Sequence, residues 1–333
     1  MTTYVFACDE VDRFKESASG ARWYLPGADV QDLKGTLAVQ RLQHPFFTPR
    51  LTPRFAIEAE DHIFAIGSCF ARGVEGALAG RGFVVESMTD VFDQDEPRSP
   101  GMAPIGFTSK DSTASMLNEL SWALRPGTDF PWSALVPHAE QEWVDPHAGR
   151  ALRFAGRQRT IQRRKLLLDL MRRVRHCRVV VLTLGLAEAW YDNETGHYLN
   201  MTPTSGMRKA RPGRYNFHVM DYSQTMADLE EIHRLLSAGG HPEVKIVVTV
   251  SPVPLMATFS GRDVVIANTH SKSLLRAAAE AWSAAHANVQ YFPSYEIVMN
   301  SDPARTWAED GRHLQGPVSR HVMEFFVKHF VKP

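Results

Sequence analysis

Ile63-Phe64-Ala65-Ile66-Gly67-Ser68-Cys69-Phe70-Ala71-Arg72-Gly73-Val74-Glu75-Gly76-Ala77-Leu78-Ala79 is the stretch whose reading decides the fold. Four apolar residues stop at a glycine and a helical pattern begins at once, which describes a strand, a tight turn and a helix. Phe83-Val84-Val85 reads as the next strand. The same grammar returns downstream. A helix carrying Ile161, Leu167, Leu168, Leu170, Met171 and Val174 runs into a strand at Val179-Val180-Val181-Leu182. A second helix, from Gln224 to Leu236, ends at Gly239-Gly240 and leads to a strand over residues 244–250. Ser271 to His286 is a helix, residues 289–292 a strand, and Ser319 to His329 a closing helix. Apolar strands alternating with helices predict a mostly parallel sheet covered on both faces. Ligands of such sheets bind beyond the carboxyl ends of the strands.

Two regions fall outside this pattern. Residues 1–60 look irregular, with prolines set among large apolar residues, and are expected to form an extended arm over the body, residues 61–333. Residues 191–222 have no clear period and are expected to form a lid-like insertion at the sheet edge. The composition of the 333-residue chain is that of a globular protein, and 37 basic residues balance 37 acidic ones, which disfavours a wholesale polyanion or nucleic-acid binder. The three cysteines are too scattered for a disulfide framework or a metal site. No basic leader opens the sequence and no apolar run approaches the roughly 20 residues of a membrane span, so a cytoplasmic location is expected.

Reactive groups gather at the strand ends. Cys69 stands where a strand turns into a helix, a position that favours a thiolate and hence a nucleophile; burial as an inert small residue is the alternative. Asp310 and His313, spaced Asp-x-x-His before the last helix, allow a carboxylate to hold one imidazole nitrogen while the other faces a nucleophile. Glu188 follows a strand end and can orient a substrate amine or hydroxyl, or bond the loop beneath it. Ser251 precedes a Pro-x-Pro turn and either caps it or contacts the pocket. Trp190 either lines the lid or anchors its packing.

Taken together, Ile66-Gly67-Ser68-Cys69-Phe70-Ala71, Thr183-Leu184-Gly185-Leu186-Ala187-Glu188-Ala189-Trp190, Thr249-Val250-Ser251-Pro252-Val253-Pro254-Leu255, residues 291–298, and Ala308-Glu309-Asp310 with His313 resemble the GSCFA family, whose members look like SGNH (GDSL-type) hydrolases. The resemblance covers about residues 45 to 330. It implies a three-layer α/β/α sandwich and ester hydrolysis or acyl transfer, with Cys69 at the nucleophile position, Ser68 at the position of the usual aspartate, and Asp310 and His313 as the acid/base pair. The hydrolases' Gly-x-Asn-Asp block lies over Gly185-Leu186-Ala187-Glu188, so the asparagine that donates to the oxyanion is missing. A carboxylate at Glu188 does not replace it unless protonated. The N–H groups of Cys69, Gly185 and Gly101 or Gly106 would have to rebuild the hole. A Ser68-dependent esterase, or a binding protein that keeps the fold without turnover, are the other readings.

The implied acceptor is a small molecule or a glycan. No cofactor is implied, and the fourteen histidines show no HExxH or other paired ligand spacing. Residues 150–178 hold eleven basic side chains against Asp169 alone. Such a run is the solvated face of a helix or, more sharply, a docking face over residues 157–178 for coenzyme A phosphates or an acyl carrier protein.

Overall fold

A computed structural model describes residues 5–17, 20–27, 29, 31, 35–68, 70–92, 96, 108–149 and 152–332. The strands are β1 (His62–Gly67), β2 (Val84–Val85), β3 (Val136–Ala139), β4 (Glu142–Val144), β5 (Val179–Leu184), β6 (Glu188–Asp192), β7 (His197–Tyr198), β8 (Tyr215–Val219), β9 (Lys245–Val250) and β10 (Val289–Tyr291). The helices are α1 (Cys8–Ser17), α2 (Ala38–Arg41), α3 (Ala71–Ala79), α4 (Thr113–Leu124), α5 (Arg157–Arg172), α6 (Ser205–Ala210), α7 (Tyr222–Gly239), α8 (Val264–Ala285), α9 (Ser294–Met299), α10 (Pro303–Thr306) and α11 (Gly316–Phe330).

The central sheet has the order β10-β9-β5-β1-β2, with every pairing parallel. Side chains along each strand alternate between two cores, as a pleated strand requires. Phe64, Ile66, Val180, Leu182, Ile246 and Val248 pack towards α4, α7 and α8. Ile63, Ala65, Val179, Val181 and Val247 pack towards α3, α9 and α11. The result is a three-layer α/β/α sandwich. After β1 the chain moves to β2 at one edge, then returns to β5 on the other side of β1. The winding direction therefore reverses between β1 and β5, and the crevice at their carboxyl ends is where such sheets receive ligands.

Three features differ from the sequence reading. The arm contains a regular helix, α1, and residues 45–57 are tied to the body: Phe47 N–H donates to Ser301 Oγ at 2.9 Å, Asp302 N–H to Pro45 O at 3.0 Å, and Ile57 bridges Val331. The insertion is ordered by antiparallel pairing into a sheet of order β7-β6-β8, with Trp190 opposite Phe217 and Tyr191 opposite Tyr198. These cross-strand aromatic pairs supply the stabilisation that a period search overlooks.

The third difference is the basic helix. Arg163 and Arg164 of α5 are buried. Arg163 Nε donates to Glu96 at 2.8 Å, and Arg159 also reaches Glu96. Arg164 bonds Asp145 at 2.5 Å and both oxygens of Glu119 at 2.9 and 3.0 Å. Lys110 Nζ lies 2.8 Å from Glu119 and donates to the His147 carbonyl at 2.5 Å. Burial opposes the charge on Arg164, but Asp145 and Glu119 outweigh it and hold the guanidinium's pKa above its ordinary value. The run is thus partly a structural ion cluster, with Arg157, Lys165, Arg172, Arg173 and Arg175 left on the surface. No helix among the described residues is long and apolar enough to cross a membrane.

Candidate active site

The carboxyl ends of β1 and β5 meet unusually closely. Gly67 has φ +140°, and a Cβ there would lie 2.3 Å from the Thr183 carbonyl oxygen, so only glycine lets the two strands converge. Ser68 N–H donates to that same carbonyl at 2.9 Å. The Ser68 hydroxyl lies 3.3 Å from Thr183 Oγ1 and the residue is 4% exposed. Cys69 and Gly101, with Gly106, lie outside the described residues.

Beyond β5 the turn Gly185-Leu186-Ala187 is held on three sides. Leu186 N–H donates to Asp111 O at 2.7 Å, and Ala187 N–H to Ser271 Oγ at 2.8 Å. Lys272 Nζ, on α8 and 0% exposed, donates to the Gly185 carbonyl at 2.7 Å. Gly185 N–H itself bonds no described residue. A Cβ on Gly185 would stand 2.7 Å from Asp111 O and 3.3 Å from Ser68 Cβ, so this turn packs directly on the residue that follows β1. Lys272, Ser271 and Asp111 carry no motif that marks them in the sequence; each is far from Gly185 in the chain.

Asp310 and His313 come together as their spacing requires. Asp310 Oδ2 lies 2.5 Å from His313 Nδ1, while Oδ1 accepts the backbone N–H groups of His313 at 2.9 Å and Arg312 at 3.0 Å. Those backbone bonds, then the imidazole, hold the Asp310 carboxyl well below the usual carboxylate range. His313 is 57% exposed on its side chain, and its Nε2 bonds no described residue. Arg312 Nε anchors the loop on Pro254 O at 3.0 Å, immediately after the Ser251 turn. Ser251 is buried and its Oγ accepts Val253 N–H at 3.3 Å.

Arg312 also lines a cavity of about 360 Å³ shared with Asp111, Leu186, Glu188 and Trp190. The elements meeting there are the His313 loop, the turn beyond β5, the small β7-β6-β8 sheet and the loop before α8. Glu188 is buried and accepts the Thr258 hydroxyl at 2.8 Å. Asn200, from the insertion, lines the cavity as well, but its amide donates to Ser109 O at 2.7 Å and its carbonyl accepts Asp111 N–H at 3.1 Å. Its role there is to brace the segment leading into α4. Among the described residues, no group of three or more His, Cys, Asp or Glu is arranged to hold a metal ion.

The fold and this arrangement define a doubly wound α/β protein with an Asp–His pair on the loop whose Arg312 lines the same cavity as Leu186, just beyond β5. The model of the GSCFA family matches residues 62–330, and the chain belongs to that family. No curated protein matches the sequence. Among solved structures, the chain is similar to a GDSL-like lipase from Bacteroides thetaiotaomicron at 12% identity and a TM-score of 0.36, over 80% of this chain and 86% of that one. It is similar to a putative platelet activating factor from Streptococcus pneumonia at 12% identity and a TM-score of 0.37, over 82% and 84%. A family 3 carbohydrate esterase from Clostridium thermocellum shares 9% identity at a TM-score of 0.33, over 81% and 94%.

Proposed function

We propose that this protein is an acyl hydrolase or acyltransferase working through a covalent acyl-enzyme. The observation that carries the reading is the Asp310–His313 pair, its imidazole Nε2 bonded to no described residue, on the loop whose Arg312 lines the cavity beyond the β5 end. In this reading Cys69 loses its proton to His313 and its sulfur attacks the substrate carbonyl. His313 then returns the proton to the leaving alcohol as the carbon–oxygen bond breaks, and a thioester remains. Water completes hydrolysis, or a hydroxyl or amine of a small molecule or glycan completes transfer, with His313 again taking the proton. Asp310 holds the imidazole in the tautomer that leaves Nε2 facing the reaction.

Support for Cys69 over Ser68 comes from Ser68 itself, which is 4% exposed with its hydroxyl against Thr183. The oxyanion falls to backbone donors. Leu186 and Ala187 N–H groups are already committed, so Gly185 N–H is the donor this turn has left, to act with those of Cys69 and Gly101. Delivery of the acyl group by coenzyme A or an acyl carrier protein would use the exposed Arg157, Lys165 and Arg172 of α5, and faster turnover of carrier-bound than of free donors would support it.

The deciding experiment is intact-mass analysis after incubation with an activated acyl ester. One acyl mass should appear on Cys69 and vanish in Cys69→Ala and His313→Ala. Full turnover by Cys69→Ala with loss of activity in Ser68→Ala overturns the assignment in favour of Ser68. A cysteine of ordinary reactivity, indifferent to His313→Ala, together with no turnover, would leave the fold as a binding protein.

A further inference from the structure

Glu188 is a buried carboxyl group that the acyl-transfer steps do not use. Eight carboxylates are buried among the described residues, and six of them, Asp61, Glu75, Glu96, Glu119, Asp145 and Asp192, lie against an arginine or lysine. Asp228 instead accepts two side-chain donors, from Thr113 at 2.7 Å and Gln224 at 2.9 Å. Glu188 is 8% exposed, holds one hydroxyl donor, forms no ion pair with a described residue, and opens on the cavity. Burying a carboxylate with so little compensation is costly unless something in the cavity supplies the countercharge. Arg312 does not: it makes no ion pair with Glu188, its Nε is spent on Pro254 O, and it is only half-buried.

The walls around Glu188 suit a cation. Glu188 and Trp190 are two apart on β6, so their side chains leave the same face of the sheet. Phe217 stands opposite Trp190 on β8. Phe259, from the loop before α8, completes a trio whose ring centroids lie 5.4, 5.5 and 5.6 Å apart. All three line the cavity, and Phe259 is 53% exposed at its rim. An aromatic wall beside a buried carboxylate is how proteins hold ammonium groups, since ring faces attract a cation while rejecting the hydration a free carboxylate needs. The Trp190 indole N–H is buried without a hydrogen-bond partner among the described residues, a donor left for an oxygen near the cation.

We propose that this cavity binds the ammonium group of an amino alcohol, as the alcohol half of the ester or as the acyl acceptor. Glu188 is its counter-charge, and Trp190, Phe217 and Phe259 are its walls. The assignment of the ammonium to one half of the ester rests on the acyl-transfer reading; the binding site itself does not. Two measurements separate them. Calorimetry compares choline with 3,3-dimethylbutanol, its uncharged carbon analogue, on the unmodified protein, on Glu188→Gln and on Phe259→Leu. Kinetics compares kcat/KM for esters of the same two alcohols. Choline should bind at least tenfold more tightly than the neutral alcohol, its ester should be favoured by a similar factor, and both preferences should collapse in Glu188→Gln. Phe259→Leu, at an exposed position that leaves the core intact, should weaken them severalfold. Selective choline binding without turnover of either ester would uphold the site and overturn the acyl-transfer reading. Turnover with no preference, no selective binding, or a preference that survives Glu188→Gln overturns the site.

Discussion

Lys272 Nζ donates to the Gly185 carbonyl at 2.7 Å from a fully buried position on α8. The neighbouring Ser271 takes the Ala187 N–H, so one turn of α8 grips both ends of the loop beyond β5. A buried ammonium costs several kcal/mol of desolvation, and is retained where it orders polar groups that apolar packing would leave loose. Replacing it with the isosteric Lys272→Met should lower kcat about tenfold to a hundredfold while changing KM little. The Gly185 peptide then loses its brace while the cavity wall stays in place. Steady-state kinetics beside a thermal melt checks this; a fall in kcat matched only by general loss of folded protein would contradict the positioning role.

Gly185 tolerates no side chain. A Cβ would stand 2.7 Å from the Asp111 backbone oxygen, which cannot swing aside as a flexible side chain would. Gly185→Ala should therefore displace the turn that Leu186 N–H ties to Asp111 and remove a donor from the oxyanion, with a loss on the order of 10²- to 10³-fold in kcat. Gly213→Ala, where a Cβ meets open space but φ is +78°, is the control for general backbone strain and should leave the rate within about threefold while costing roughly 1 kcal/mol of stability.

Asp310 should matter through orientation. Its Oδ1 accepts two backbone N–H groups and its Oδ2 holds His313, so the carboxyl stays ionised well into the acid range. Asp310→Asn preserves the shape but offers an amide that can stabilise the wrong imidazole tautomer. The expected loss is on the order of 10²- to 10⁴-fold in kcat, with any acid limb of the rate profile retained, because that limb does not arise from Asp310. Disappearance of the limb in Asp310→Asn would contradict this.

His147 should make the fold acid-sensitive. It is buried against the rings of Trp122 and Phe130, and burial pushes its pKa down to about 4, against an ordinary value of 6.5, with Asp145 only partly opposing. Between those values the unfolded chain binds a proton that the folded chain refuses, so stability falls as pH drops from about 6.5 towards 4. The full effect is about 3 kcal/mol. Glu119 and Asp145, held below their ordinary pKa by Arg164 despite burial, act in the same direction lower down. Urea midpoints should decline across that window in the unmodified protein and decline less in His147→Gln, whose side chain does not titrate. Parallel slopes for the two proteins would refute the attribution.

Much of this architecture was legible in one dimension. Strand, turn and helix follow one another from Ile63, and the heavily apolar strands 179–184 and 245–250 announce a sheet buried on both faces. The Asp310–His313 pair was legible because a three-residue spacing in a turn leaves the two side chains little choice but to meet. Helix α4 carries an ordinary helix signature in Ser112, whose hydroxyl caps Ser115 N–H, and in the spacing of Met116, Leu120 and Ala123. The basic run of α5 misled for a clearer reason. Arg163 and Arg164 look solvated until Glu96, Glu119 and Asp145, between 19 and 67 residues away, fold onto them.

The sequence by itself determined the strand-helix alternation, the place of Gly67 and Ser68 at a strand end, and the Asp310–His313 contact, because each depends on neighbours within a turn or two of chain. Only the tertiary structure decided that β1 and β5 lie side by side where the winding reverses. Only there do Lys272 and Ser271 reach the Gly185 turn, and only there does Glu188 share a cavity with Trp190, Phe217 and Phe259 and no ion-pair partner among the described residues. Those relationships join residues scores of positions apart, and the partner each buried charge finds is set by how the layers pack around it rather than by anything in its local sequence.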